Sequence, residues 1–374
     1  MNILILGNGF DLAHGLKTKY SDFLEYCQKQ FSRVVVYKPT DKFYNNLWIR
    51  HFLSVQQKMG EKWIDLEEEI YNVILHVSKL PIMRISNTQR LFMINYNDNI
   101  FNFYNIEKYL IEPVGSATSQ NGYTRLSEHN ELQLMIYFET PRGVVNFLYE
   151  QLREFTKLFN DYLLKEVLEP IQTEPNLKLS LKSIGVNEGS KDVHVLNFNY
   201  TDTCERFYRS KFSGYCDLNI KPVYVHGKVS SGEECNLVLG THGFERYNGI
   251  ISKDFNIFKK HNQRHKFGTI EAYQTLLELI KEHNRQITFH IIGHSLDSTD
   301  QRILKHILLA NQHSRINIYY HDEEAQERLM NNIDSIIGEE EVMAKVRFIY
   351  QHDPNKGILI PLNNESTNKS CVPL

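Results

Sequence analysis

The chain contains no apolar run approaching the roughly 18–20 residues that a bilayer-spanning helix requires. Its apolar opening, MNILIL, turns glycine-rich and polar almost at once. With no basic stretch before it and no cleavage site after it, that opening reads as a strand and not as a signal peptide. Cysteine is scarce: Cys27, Cys204, Cys216, Cys235 and Cys371 are odd in number, scattered, and form no CxxC pair. That usage excludes a disulfide framework and points to a reducing cytoplasm. Glycine (19) and proline (10) are too few for collagen-like or low-complexity architecture. Neither sign of charge dominates, with 42 Lys plus Arg against 45 Asp plus Glu, so nothing drives the whole chain toward nucleic acid or an anionic membrane. Histidine is plentiful at 16, yet no HExxH or paired Cys/His spacing occurs, and no metal is expected.

What is present is 374 residues of ordinary globular composition, 41% hydrophobic, which exceeds the usual domain of roughly 100–200 residues. The first apolar run ends at Gly7 and suits a strand buried on both faces. A glycine loop follows, and Asp22-x-x-Glu25 resembles a capping box ahead of a helical pattern, giving strand, glycine loop and helix in that order. From residue 34 to 191 the pattern becomes helical, with Trp63, Leu66, Ile70, Val73, Ile74 and Val77 in one amphipathic series and Leu148, Leu152, Phe155, Phe159 and Tyr162 in another. Between them, 78–139 reads as short helices and loops. Asp65 and Glu69 share a helix face by their i, i+4 spacing and can line a site with Trp63, but the acidic run at Asp65, Glu67, Glu68 and Glu69 reads better as a solvated helix face, with Trp63 anchored in the core.

Strand patterns resume at 193–198, 223–225, 237–239, 287–292, 316–320 and 346–350, with helical patterns at 270–283, 300–310 and 323–337. Alternation of this kind implies an α/β fold with a mostly parallel sheet, whose ligands bind beyond the carboxyl ends of the strands. Four polar clusters sit at such ends. The first is Gly7-Asn8-Gly9-Phe10-Asp11, where glycines permit close backbone approach and helix-start amides can hold a pyrophosphate; a tight strand–helix turn is the alternative. The ordinary dinucleotide fingerprint is not met, because the next glycine, Gly15, comes six residues after Gly9. The second is Asn197 to Asp202, in which Asn199 and Asp202 can serve a ribose, an amide or a water, or simply close an Asx-turn. The third places His226 beside Gly227, as a base, a hydroxyl ligand or a structural imidazole. The fourth is Gly293-His294-Ser295-Leu296-Asp297. It lacks the second glycine of a nucleophile elbow, so Ser295 is not a nucleophile; ligand binding or helix capping near Thr299 or Asp300 fits better.

The run Ile5-Leu6-Gly7-Asn8-Gly9-Phe10-Asp11-Leu12-Ala13-His14-Gly15 closely resembles the opening of the bacteriophage abortive-infection AbiH family. Trp63-Ile64-Asp65-Leu66-Glu67, Asn197-Phe198-Asn199-Tyr200-Thr201, Val225-His226-Gly227 and Gly293-His294-Ser295-Leu296 resemble its later blocks in the same order. More distantly, the order is similar to sirtuin-like NAD-binding proteins. That resemblance implies a Rossmann-like, sirtuin-like sheet in which Gly7, Gly9 and Ser295 bind NAD or a related nucleotide; Asn8, Phe10, Asp11, Asp202, Gly293 and His294, in the same strand-end clusters, complete the expected binding set. It also implies that Asn199 and His226 carry the chemistry, cleavage of the nicotinamide–ribose bond. Departures are Thr201 where the sirtuin-like turn has Asp, Asp11 and His14 in the loop, and the missing zinc-ribbon cysteines, which argue against deacylase activity.

The expected organisation is a discontinuous nucleotide-binding domain, 1–33 and 192–350, interrupted by a mostly helical insertion, 34–191, and followed by a tail, 351–374. Two functions stand side by side. One is a cytoplasmic antiphage NAD glycohydrolase. The other is a non-catalytic nucleotide-sensing module whose insertion docks a phage component, either of them compatible with a homo-oligomer. Nuclease action is weak, since no carboxylate pair or basic cluster stands out.

Overall fold

In the computed structural model the described residues are 1–32, 46–59, 65–79, 92–95, 110–113, 121–128, 131–138, 141–171, 193–208, 222–232, 234–244 and 253–351. Trp63, Cys216, Cys371 and residues 352–374 lie outside them. The chain divides into two compact units. The first is built from Met1–Lys19 and the described parts of Asn160–Val238 and Arg264–Leu374, the second from those of Tyr20–Phe159 and Leu239–Gln263.

The first unit is a six-stranded sheet: β1 (Asn2–Leu6), β6 (Val193–Asn197), β7 (Val223–Tyr224), β8 (Ile287–Ile292), β9 (Ser314–Tyr320) and β10 (Val346–Tyr350). Every pairing in it is parallel, and the order is β10-β9-β8-β1-β6-β7. Counted along the chain this is the doubly wound order of a Rossmann-like fold, with its topological switch between β1 and β8. β1 shows why the run is apolar throughout: Ile3 and Ile5 enter a core with Phe289, Ile291, Ile316 and Ile318, while Leu4 and Leu6 enter another with Val193, Val195 and Ile292. Alternate residues thus face opposite sides, and both sides are covered. The first core is closed by α8 (Ile270–Glu282), α9 (Gln301–Leu308) and α10 (Glu323–Ile337). The last of these is N-capped by Asp322, which accepts from the Ala325 amide at 2.6 Å. The second core takes in Cys204, Phe207 and Tyr208 of the short helix α6 (Thr203–Tyr208).

Three local expectations change. The glycine loop is itself helical, α1 (Asn8–Ala13), and α2 (Tyr20–Ser32) begins two residues before Asp22, which therefore lies in its first turn and not at its cap. Residues 237–239 are not a strand: the Leu239 amide and carbonyl are bonded to the Gln263 side chain, at 3.1 and 2.8 Å, so a side-chain amide takes the place of a neighbouring strand.

The second unit holds α3 (Leu47–Met59), α4 (Leu66–Lys79) and most of α5 (Pro141–Tyr162). Where short helices and loops are expected, it has an antiparallel sheet of β2 (Phe92–Asn95), β3 (Leu110–Pro113), β4 (Asn121–Glu128) and β5 (Glu131–Phe138), ordered β2-β5-β4-β3. Its helical core is aromatic, with Phe155 edge-on to Phe23 and Phe52 at 5.3 and 5.4 Å, and the indole of Trp48 donating to the Leu148 carbonyl at 2.9 Å.

Candidate functional site

The carboxyl ends of β1, β6, β7 and β8 meet at one edge of the first unit. The loops after β1 and β8 touch backbone to backbone: the Gly7 amide donates to Ile292 at 3.1 Å and the Gly9 amide to Gly293 at 2.7 Å. A Cβ on Gly7 would lie 2.5 Å from the His294 Cα, and one on Gly293, where φ is +65°, 2.2 Å from the Phe10 amide nitrogen. These glycines are therefore required by the contact between the two loops. The Gly9 amide is spent on that contact, and the Phe10 amide on the Gly7 carbonyl at 2.9 Å.

Asn199 joins β6 to this junction, its Nδ2 donating to the Gly7 carbonyl at 3.0 Å while its own amide donates to Asn197 Oδ1 at 3.0 Å. The turn is thus an Asx-turn that also carries an interloop bond. With Nδ2 committed, the carboxamide oxygen is the end that can accept from a sugar hydroxyl or a water.

Asp11 lies beneath, 1% exposed, and accepts a short hydrogen bond from the Thr201 hydroxyl, which in turn accepts from Thr203 at 2.9 Å. Its Oδ1 has no hydrogen-bond partner. Burial pushes the carboxyl up to about 6, against the opposing pull of the Thr201, Thr203 and Asn199 side chains, while the charge of Asp202 adds to the rise. Beside it His14 bonds the Phe10 carbonyl through Nδ1 and the Tyr208 hydroxyl through Nε2, both at 2.7 Å. A carbonyl can only accept, so Nδ1 carries the proton and Tyr208 donates. Burial holds His14 below its ordinary value, in keeping with a neutral ring.

His226, two residues beyond the end of β7, sits in a closed triangle. Its Nε2 meets Asp300 Oδ2 at 3.1 Å, its Nδ1 meets an Arg264 guanidinium nitrogen at 3.3 Å, and the same nitrogen meets Asp300 Oδ1 at 3.2 Å. Guanidinium cannot accept, so Nδ1 is the unprotonated nitrogen and Nε2–H donates to Asp300. The Phe198 ring sits edge-on to both His226, at 5.6 Å, and His294, at 4.4 Å. His294 Nδ1 accepts from the Leu296 amide at 2.9 Å, and Leu296 has a left-handed φ of 59°, rare for a branched residue.

Not every expected residue joins this centre. Asn8 is exposed, its Oδ1 accepting from Thr18 at 2.6 Å. Phe10 is packed against His14 and Tyr208, Asp202 pairs with Arg206 at 3.2 Å, and Ser295 is exposed, its carbonyl accepting from Asn332. Arg264 and Thr203 escape the sequence reading, Thr201 enters it only within its cluster and as a departure from the sirtuin-like turn, and Asp300 only as a cap. In the second unit the acidic run is not a solvated face: Asp65 Oδ1 caps α4 through the Glu67 and Glu68 amides, Glu67 pairs with buried Lys260 at 2.5 Å, and Glu69 with His51 at 2.7 Å. Among the described residues no group of three or more His, Cys, Asp or Glu side chains could hold a metal ion, and no helix is long and apolar enough to cross a membrane.

An all-parallel, doubly wound sheet with polar loops gathered at its carboxyl edge defines a Rossmann-like α/β protein. The family model of bacteriophage abortive infection AbiH matches residues 3–322, and the chain belongs to that family, whose function is antiphage abortive infection. No curated protein and no solved structure matches it.

Proposed function

We propose that the protein serves abortive infection by binding NAD or a related nucleotide at the carboxyl edge of its parallel sheet and hydrolysing the N-glycosidic bond. The observation that carries this reading is the Asn199–Gly7 bond, which draws a polar turn onto the loop of β1 beside the switch point, where sheets of this order hold ligands. In the reaction the C1′–N bond breaks with its electron pair leaving on nicotinamide. Water oxygen bonds to C1′, and the proton of that water passes to His226 Nδ1. Positive charge builds on the ribose as the bond lengthens, and the Asn199 carboxamide oxygen is the dipole offered to it or to the water. Ser295, exposed and outside the bonded centre, offers its hydroxyl to the phosphates. No metal is invoked.

Incubating the purified protein with NAD and following nicotinamide release tests this. Release that is lost in Asn199→Ala supports it; no release, together with an unchanged melting temperature at millimolar NAD, sinks it. A second reading, a sensor that holds the nucleotide without cleaving it, is favoured by the contact of Arg264 on His226 Nδ1, because an engaged lone pair takes up no proton. Ligand-induced stabilisation without turnover distinguishes it.

A further inference from the structure

We infer that Arg264 is a latch on His226, opened by the phosphates of an anionic nucleotide; this rests on the reading of the edge as a nucleotide site. The groups facing His226 are Asp300 ahead of α9, Arg264 near the end of α7 (Lys260–Lys266), and the Phe198 and Tyr200 rings after β6, with His294 across Phe198. Of these, Asp300 and Arg264 carry fixed charge, and they act on opposite nitrogens. Asp300 holds Nε2–H and favours an added proton. Arg264 places a guanidinium N–H against Nδ1, the one atom that can receive it. A proton on Nδ1 and the Arg264 contact exclude each other, so His226 becomes an acid–base group only when the guanidinium moves.

What moves it follows from its present bonds. One nitrogen serves both His226 and Asp300, at 3.3 and 3.2 Å, so the imidazole has only a share of a long contact. A phosphate or pyrophosphate offers two oxygens at the spacing of the guanidinium fork and a full negative charge, a better partner than a neutral imidazole. The root of the Arg264 side chain is tied to the strand end through Thr269, whose amide donates to the Arg264 carbonyl at 3.0 Å and whose hydroxyl donates to the Val225 carbonyl at 3.4 Å. Release of the imidazole therefore takes a side-chain rotation and no movement of the main chain. The edge thus ties proton uptake by His226 to occupancy by a phosphate-bearing ligand, and Arg264 is a positioning residue acting through the imidazole.

The test is the titration of His226 in the full-length protein labelled with ¹⁵N-histidine, followed by long-range ¹H–¹⁵N spectra and assigned with His226→Gln. Without ligand, Nδ1 has the shift of an unprotonated nitrogen and the ring resists protonation. Saturating inorganic pyrophosphate, with chloride at equal ionic strength as control, raises the titration midpoint by about one pH unit or more. Arg264→Gln shows the raised midpoint without pyrophosphate and no further response to it. An unchanged His226 spectrum on adding pyrophosphate to the wild type overturns the latch, whatever the variant does. A responding His226 without nicotinamide release instead removes the hydrolytic reading and leaves the latch standing.

Discussion

Asn199 and Gly7, 192 positions apart, are joined by one hydrogen bond of 3.0 Å that ties the end of β6 to the end of β1. Asn199→Ala removes the donor and costs roughly 1–2 kcal/mol. Asn199→Asp sets a buried carboxylate against a carbonyl and costs more. Urea unfolding of the three proteins at neutral pH checks the order, and equal midpoints for the two variants would contradict it.

Two glycines with left-handed φ separate strain from crowding. Gly15, at φ +75°, has open space where a Cβ would stand, whereas at Gly293 that atom would strike the Phe10 amide. Gly15→Ala is expected to cost about 1 kcal/mol, and Gly293→Ala several-fold more, since two backbones must part. Thermal melts of the pair measure the difference.

Asp11 sets a pH dependence of definite sign. Its carboxyl is raised in the folded protein from 3.8 to about 6, so the folded state binds more protons between those values. Its contribution is fully present below the lower value and is lost as pH rises through the upper one, by roughly 3 kcal/mol at most. Asp11→Asn, which keeps an acceptor for Thr201, is expected to stabilise the protein at pH 8 and to lose that advantage near pH 4. Denaturant midpoints across this range decide; a gain that persists unchanged at pH 4 would rule the account out.

His290 works in the opposite direction. It bonds Tyr319 through Nδ1 at 2.9 Å and Asn2 Oδ1 through Nε2 at 3.2 Å, and burial lowers it from 6.5 to about 4. The folded state then binds fewer protons between those values, and stability falls as pH drops through that window. His290→Gln is expected to flatten the acid limb of the stability profile, which denaturant midpoints between about pH 4 and 7 measure.

The Lys260–Glu67 pair is nearly dry, with the lysine side chain 1% and the glutamate 13% exposed. Lys260→Met takes away the buried cation beside the carboxylate and is expected to cost about 3–5 kcal/mol. Adding Glu67→Leu returns much of that loss, a coupling that a double-mutant cycle reads directly.

The parallel sheet is legible in the sequence because strands buried on both faces are continuous apolar runs, and β8 and β10 fall at the bounds expected from them. The β4–β5 hairpin escapes the sequence reading although Leu132, Leu134, Ile136 and Phe138 alternate, because polar Asn and Tyr around it mask the period of two. Asn199 and His226 stand out as polar residues at strand ends. Arg264 does not, since it sits in the run Lys259-Lys260-His261-Asn262-Gln263-Arg264-His265-Lys266, which reads as solvated surface. Only tertiary packing buries it. Lys260 hides in the same run, and the acidic residues it meets look solvated for the same reason.

The central position of β1 bears on how the chain comes to fold. Its hydrogen-bonding neighbours are β6 and β8, and the bond between Asn2 and His290 spans 288 positions. During synthesis this apolar strand emerges long before either partner exists, and it is flanked on both sides only once residue 292 has been made. Shielding of Ile3, Leu4 and Ile5 by a chaperone in that interval is the expected requirement for soluble expression.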